Sequence, residues 1–288
     1  MKDTYDIVRE WKKRRGSAFA LATLVRVQGS SYRRPGARML IYEEGTTVGS
    51  LSAGCLEDEV ALRARDVLQT GKPTIVTFDT RRRFGCTGKI EILIEHVGED
   101  FFLDLAADLE ARRVHVAVTR FDGNELMQMI HPPIRLFIFG DGPDNLPLRS
   151  LGNSLGWEIV EVLDPNLLST QPDEWTAAIV KSHNYGRDFA ALQKLLPMNL
   201  RYVGLVGPRK RRDQLMNNLL DLGVTINAGF FAPAGLDLGA ETPEEIALSI
   251  VSEIQRVFAK RSGESLRERK TSIHTTLKCA DTSALLKQ

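Results

Sequence analysis

The second half of the chain alternates short apolar runs with helical segments, and this alternation restricts the fold more than any other feature of the sequence. The apolar runs are residues 134–139, 158–163, 177–181 and 202–206, and the helical segments among them are 144–155, 187–196 and 209–222. Strands separated by helices lie parallel, because each helix carries the chain back to the end of the sheet where the next strand begins. The pattern predicts a Rossmann-like, doubly wound parallel sheet in an α/β protein.

A strongly marked helix closes this half. Thr242 is a typical N-cap, Pro243 stands at the first helical position, and Glu245 completes a capping box. Apolar residues then recur with helical spacing as far as residue 258. The sequence from about residue 263 onward is polar and charged, so we interpret 263–288 as a tail.

The first half predicts a separate α+β domain. Its predicted strands are residues 18–27, 38–42, 47–51, 74–78, 89–94 and 114–119, with helices over 56–68 and 101–110. The tandem prolines Pro132 and Pro133 can continue neither a strand nor a helix, so they mark a boundary. The predicted domains are therefore 1–132 and 133–262, followed by the tail.

Charge and cysteine content exclude several classes of function. The 288 residues include 38 Lys and Arg against 37 Asp and Glu, and a net charge of +1 gives no general attraction to nucleic acid or to an anionic membrane. The three cysteines form no CxxC pair, and the five histidines lack metal-ligand spacing. No apolar run approaches the length of a membrane span. We therefore expect a cytoplasmic, reduced protein without a metal site of a common kind.

Residues 140–145 occupy the place of a dinucleotide-binding loop, between the first strand and the first helix of the second domain. Gly140 and Gly142 allow a close turn there. Asp164 ends the next strand about 20 residues further on, where an acid that binds the ribose belongs. These three residues are candidates for binding NAD(P).

Three details weaken that fingerprint. Asn145 stands at the third small position and is expected to hold the helix further from the strand. Pro143 removes one backbone N–H that would face a pyrophosphate, while Asp141 and Asp144 place negative charge where the ligand is negative. A strand–turn–helix with acidic capping is therefore favoured over tight NAD(P) binding.

The segment 29–37 has the composition of an anion-binding loop. Glycine lets backbone amides approach a ligand, serine adds hydroxyl donors, and arginine adds charge-assisted hydrogen bonds. Its candidate binding residues are Gly29, Ser30, Ser31, Arg33 and Arg34.

Two further basic clusters, residues 81–83 and 209–212, suit the same use, with a solvated basic surface as the alternative. Arg209 and Arg211 lie in a first helical turn, where cations oppose the helix dipole, and this favours an anion-related role.

Two cysteines follow a glycine. Cys55 follows Gly54 at the predicted start of a helix, where the helix dipole lowers the pKa of a thiol, and Cys86 follows Gly85 in a glycine-rich turn. The pattern indicates a role in handling a ligand or sulfur, and a buried, unreactive thiol is the alternative.

These motifs resemble those of one family. The strings GSSYRRPGARMLI, GSLSAGCLEDEV and FGCTGKIEILIE resemble the N-terminal half of the XdhC/CoxF (XdhC/CoxI) maturation factors of xanthine and CO dehydrogenases. The strings RLFIFGDGP, YVGLVGPRKRR and GLDLGAETPEEIALSIVSEI resemble the C-terminal Rossmann-like domain of the same family. The chain departs from the family pattern at Tyr32, which replaces a proline, and in the loop 140–145, which lacks the usual histidine and the small third residue.

The resemblance implies an accessory protein, more a chaperone than an enzyme. It implies binding of molybdenum cofactor (molybdopterin) as cargo and insertion into an apo molybdenum hydroxylase, with a sulfurase of the cysteine desulfurase type and as a homodimer. The implied binding residues are those of the anion-binding loop, Gly54, Cys55, Gly85 and Cys86, with Arg209 and Arg211 second. The alternative hypothesis is an NAD(P)-dependent oxidoreductase that uses Gly140, Gly142 and Asp164.

Overall fold

The computed structural model describes residues 2–29, 31–52, 54, 56–79, 88–168, 170–270 and 273. The chain forms two compact units, whose main parts are Met1–Pro132 and Pro133–Glu268. No helix within the described ranges is both long enough and apolar enough to cross a membrane. The predicted fold class, an α+β unit followed by a parallel-sheet unit, is confirmed.

The first unit is built on a five-stranded antiparallel sheet. Its elements are α1 (Lys2–Lys13), β1 (Phe19–Gly29), β2 (Arg38–Tyr42), β3 (Thr47–Gly49), α2 (Glu57–Thr70), β4 (Thr74–Asp79), β5 (Gly88–Glu95), α3 (Glu99–Glu110), β6 (His115–Phe121) and β7 (Asn124–Ile130). The strand order is β3-β2-β1-β5-β4, and every pairing is antiparallel. Strands β6 and β7 form a separate antiparallel hairpin.

Helices and the hairpin cover both faces of this sheet. Ala20 and Leu24 of β1 pack in one apolar cluster with Val60 of α2, whereas Phe19 and Leu21 pack in another with residues of α1, α3 and the hairpin. A strand buried on both faces must be apolar throughout, which explains the continuous apolar run at the start of β1.

Two elements of this unit were not predicted. Helix α1 buries Thr4, Ile7, Val8 and Trp11, a helical spacing hidden among charged residues. Strand β7 has the sequence NELMQMI, in which Ile130 alone is β-branched, so its composition gives little indication of a strand.

The second unit is the predicted parallel sheet. Its elements are β8 (Arg135–Phe139), α4 (Asn145–Ser154), β9 (Glu158–Val162), β10 (Thr176–Val180), α5 (Tyr185–Leu195), β11 (Tyr202–Leu205), α6 (Arg209–Asp221), β12 (Phe230–Phe231) and α7 (Pro243–Phe258). The strand order is β12-β11-β10-β8-β9, and all four pairings are parallel. Only the two-residue strand β12 was not predicted.

Helices lie on both faces of this sheet, as predicted. Leu192 of α5 and Leu215 of α6 belong to one apolar cluster, and Leu148 of α4 and Ile250 of α7 belong to the other. The predicted capping box at the start of α7 is confirmed, because the Thr242 side chain accepts from the Glu245 backbone N–H and the Glu245 side chain accepts from that of Thr242.

The order of strands creates a switch point in the second unit. The chain leaves β8 through α4 to reach β9 on one side, and then crosses to β10 on the other side of β8. Ligands of doubly wound sheets bind where this reversal occurs, beyond the carboxyl ends of the strands. Here that place lies between the residues after Phe139 and the residues after Val180.

Candidate functional site

One end of the first sheet gathers the glycine-rich segments. Gly29 at the end of β1 lies opposite Gly88 at the start of β5, and Asp79 at the end of β4 lies opposite Lys89. Gly49 at the end of β3 lies opposite Met39, beside the start of β2. Because neighbouring strands run in opposite directions, β1, β3 and β4 all end where β2 and β5 begin. We call this the loop end.

Several predicted binding residues lie at the loop end. Those that the structure describes are Gly29, Ser31, Arg33, Arg34 and Gly54. The predictions for Ser30, Cys55, Gly85 and Cys86, and for the basic cluster 81–83, lie outside the described residues.

The described part of the anion-binding loop makes polar contacts with its surroundings. Arg33, which is half-buried, forms an ion pair with Asp3 of α1. The backbone N–H of Gly36 donates to the carbonyl of Leu24 at 2.8 Å. Gly36 has φ of +93°, and a Cβ there would lie 2.7 Å from the Gln128 side chain, so the turn requires glycine.

Glu57 organises the second segment of the loop end, and it was not predicted as a site residue. Its Oε1 accepts from Ser50 Oγ at 2.9 Å, from the Leu51 N–H at 3.1 Å and from the Ser52 N–H at 2.8 Å. Its Oε2 accepts from Ser52 Oγ at 2.6 Å and from the Leu56 N–H at 3.1 Å. One carboxylate therefore holds the residues on both sides of Gly54.

This arrangement changes the acidity of Glu57. Partial burial alone would raise its pKa, but the hydrogen bonds from Ser52, Leu56 and Ser50 outweigh burial and lower the pKa to about 2. The available sequence signal was local, because two serines precede an acid in a first helical turn whose N-cap, Leu56, has no polar side chain.

A buried arginine lies behind the anion-binding loop. Arg38, at the first position of β2, is 3% exposed and donates from Nη1 to the Gly36 carbonyl at 3.4 Å and from Nη2 to Thr119 Oγ1 at 3.4 Å, with a further bond to Gln128. Burial lowers the pKa of Arg38 to about 10, although the charge of Glu95 opposes that change. Arg38 thus links the loop to the hairpin β6–β7.

At the switch point of the second unit, the two predicted glycines have steric roles. Gly140 has φ of +132°, and a Cβ there would lie 2.8 Å from the Ser182 Cα. Gly142 has φ of +133°, and a Cβ there would lie 2.7 Å from Asp144 Oδ1. Both positions therefore require glycine because of backbone conformation and close packing.

A buried lysine occupies the centre of the switch point. Lys181 follows β10, is 2% exposed, and places its Nζ 2.8 Å from Asp144 Oδ1 and 2.6 Å from Asn145 Oδ1. Asn145 is also buried and donates from Nδ2 to the Gly140 carbonyl at 3.1 Å and to Glu161 Oε2 at 3.2 Å. Burial alone would raise the pKa of Asp144, but the bond from Lys181 and its charge lower it.

These contacts overturn one expectation and add one residue that was not predicted. Asp144 precedes α4 but makes no capping hydrogen bond with its side chain, so the predicted acidic capping by this residue is wrong. Its charge is instead paired with Lys181. The signal for Lys181 was a single lysine at the end of an otherwise apolar run, and it was overlooked.

The remaining predicted residues of the second unit make mainly internal contacts. Asp164 Oδ1 accepts from the Asn166 N–H at 2.8 Å and so caps a short 3₁₀ turn. Arg211 forms an ion pair with the fully buried Asp188. Arg209 is exposed at the first position of α6.

Comparison with known proteins connects both units to one family. The model of the XdhC and CoxI family matches residues 13–79, and the model of the XdhC Rossmann domain matches residues 136–254. A Bacillus subtilis (strain 168) protein, named as a probable subunit of xanthine dehydrogenase, is 28% identical over 306 residues, covering 81% of this chain and 91% of that protein.

Two more similarities extend over most of the chain. The molybdenum cofactor insertion chaperone PaoD of Escherichia coli (strain K12) is 24% identical over 281 residues, covering 87% of this chain and 86% of the chaperone. A crystal structure described as a xanthine dehydrogenase from Bacillus halodurans superimposes with a TM-score of 0.78 at 25% identity, covering 92% of this chain and 98% of that one.

Proposed function

Because the chain belongs to the XdhC and CoxI family, we propose that it is a maturation factor which binds molybdenum cofactor and helps to insert it into a molybdenum hydroxylase of the xanthine or CO dehydrogenase type. The similarity to a molybdenum cofactor insertion chaperone supports a role in maturation of this cofactor. A sulfurase as a further partner and a cytoplasmic location belong to the same proposal.

The observation that carries the proposal is the loop end. Two glycine-rich segments, which contain Gly29, Arg33, Arg34 and Gly54, leave the first sheet at the same end. Molybdopterin carries a phosphate, which suits guanidinium groups and backbone amides, and a dithiolene, and the sequence motif around Cys55 offers a thiol for that sulfur chemistry.

The second unit has less support as a cofactor site. Lys181, Asp144 and Asn145 are bonded to one another where a pyrophosphate would bind in a Rossmann fold. NAD(P) receives no support from the similar proteins, so the oxidoreductase alternative stays an untested hypothesis. We propose contact with the target enzyme as the use of this unit.

The test is to identify the cargo. The protein is purified from a host that makes molybdenum cofactor, then oxidised and extracted, and pterin fluorescence is measured together with molybdenum by elemental analysis. We expect pterin and molybdenum in the wild type, and reduced amounts in Cys55→Ser and Arg33→Ala.

Matched controls separate the site from general damage. Cys279→Ser removes a thiol far along the chain, and Arg149→Ala removes an exposed arginine of the second unit. Both should load like the wild type. Equal loading of all five proteins would overturn the site, and an empty wild type that binds a nicotinamide nucleotide would overturn the function.

A further inference from the structure

The outer face of the hairpin β6–β7 carries exposed apolar side chains that belong to neither site. They alternate along each strand with residues that are buried or half-buried. The exposed fractions are 49% for Val116, 38% for Val118, 43% for Met127 and 62% for Met129. We call these four residues the hairpin patch. A contiguous group of this kind on a protein surface marks an interface more often than scattered apolar residues do.

The register of the hairpin arranges the patch in pairs. Val116 lies opposite Met129 and Val118 lies opposite Met127. The next pair on the same face is Arg120 opposite Glu125, where Arg120 Nε donates to Glu125 Oε1 at 2.8 Å. In each pair β6 supplies the shorter or the positive side chain and β7 supplies the longer or the negative one.

We propose that the hairpin patch binds the same patch of a second copy of this chain. A twofold axis parallel to the strands and centred between them places β6 of one copy over β7 of the other. Each valine then packs against a methionine of the second copy, and Arg120 faces the partner's Glu125 in both directions. The face is therefore complementary to itself in size and in charge, which a twofold interface requires.

The other axis in the plane of the interface is less suitable. A twofold axis across the strands would reverse the order of the pairs, so that Arg120 and Glu125 would face the far end of the patch and lose this complementarity. The charge pair thus selects one arrangement of the two copies, as charges at interfaces commonly do.

The size of the face predicts a reversible dimer. Seven residues of a strand span about 23 Å, and two strands about 10 Å. A stable interface buries about 800 Å² on each partner, more than this face offers alone. We therefore expect monomer and dimer in measurable equilibrium, and this expectation does not rest on the proposed cofactor role.

Sedimentation velocity over a dilution series of the full chain tests the surface. Val118→Asp and Met127→Asp should each weaken the dimer at least tenfold, an order-of-magnitude expectation for a charge placed in an apolar interface. Leu62→Asp is the matched control, because Leu62 is an exposed leucine on α2 outside the patch. It should leave the dissociation constant unchanged, and circular dichroism checks that every variant is folded.

A charge exchange tests the arrangement. Arg120→Glu alone and Glu125→Arg alone should each weaken the dimer by roughly tenfold, because like charges then face each other. An equimolar mixture of the two variants should recover the dimer, since every charge across the axis is opposite in the mixed pair. The pair within each copy stays broken in that mixture, so recovery cannot come from within one chain.

Three results would overturn the proposal. They are a wild type that stays monomeric throughout the series, a dimer that Val118→Asp leaves unchanged, and a mixture no better than the single variants. A monomer that uses this patch to bind a molybdenum enzyme instead would overturn it as well.

Discussion

The loop end of the first unit and the switch point of the second unit both have glycines at the end of a sheet, but their polar groups differ in exposure and in hydrogen bonding. At the loop end, Glu57 accepts hydrogen bonds that shape one segment, while Arg34 and Gly54 of the two segments are exposed. At the switch point, Lys181 is bonded to Asp144 and Asn145, and all its described contacts are internal.

The difference separates two meanings of a glycine-rich fingerprint. A glycine indicates that the backbone turns sharply or packs closely at that position, and glycines of both regions do so. Ligand binding also needs polar groups that a ligand can reach, and here the regions differ, because Arg34 and Gly54 are exposed at the loop end whereas Lys181 is buried at the switch point. The predictions below test that difference, beginning with the largest expected effect.

Lys181→Met should lower the free energy of unfolding by about 3 kcal/mol, because it removes the buried cation to which Asp144 and the buried Asn145 are bonded. Methionine keeps the length of the side chain, so the lost charge dominates the effect. Urea unfolding measures it, and Lys210→Met, at an exposed position, is the matched control. If Lys181→Met left the free energy of unfolding unchanged, the stability of the switch point would not depend on these internal pairs.

Glu57→Gln should lower the free energy of unfolding by about 2 kcal/mol. An amide keeps one acceptor oxygen, but its NH₂ group then faces hydrogen-bond donors that had bonded the second carboxylate oxygen. The loss should extend to cofactor retention, since the segment around Gly54 loses its fixed shape. The neighbouring exposed acid gives the control, Asp58→Asn, which should alter neither quantity. Full retention by Glu57→Gln would separate the shape of this segment from binding.

The strands and helices around both regions could be predicted from the sequence because they depend on local patterns of residues. Apolar runs gave the strands that converge on each site, and the capping box gave the start of α7. The contacts inside the sites come from residues far apart in the chain, as in Arg33 with Asp3 or Lys181 with Asp144. Such partners depend on how the elements pack, so the pairing of Asp144 with Lys181 was not foreseen.

The pH dependence of stability should distinguish wild type from Glu57→Gln. The folded pKa of Glu57, about 2, lies below its ordinary value of 4.5, so its contribution is complete above 4.5 and is lost as the pH falls toward 2. Because the side chain is partly exposed, we expect the advantage of the wild type to shrink by only about 1 kcal/mol in that range. Urea unfolding at a series of pH values measures it. A constant difference would show that the charge of Glu57 contributes nothing.

The smallest expected effect is that of nicotinamide nucleotides on the melting temperature, and it tests the contrast between the two regions most directly. NAD(H) and NADP(H) at millimolar concentration should leave the melting temperature unchanged, because Lys181, Asp144 and Asn145 already bond to one another at the switch point. A ligand present at a hundred times its Kd would stabilise the fold by about 2.7 kcal/mol, which is a rise of several degrees.

Asp164→Ala completes this experiment. We expect it to lower stability by about 1 kcal/mol, the usual cost of losing a capping residue, with or without nucleotide, because Asp164 caps a 3₁₀ turn. A rise in melting temperature that Asp164→Ala abolishes would instead identify that carboxylate as a ribose ligand. The second unit would then have a nucleotide site beside its internal pairs, and the contrast between the two regions would fail.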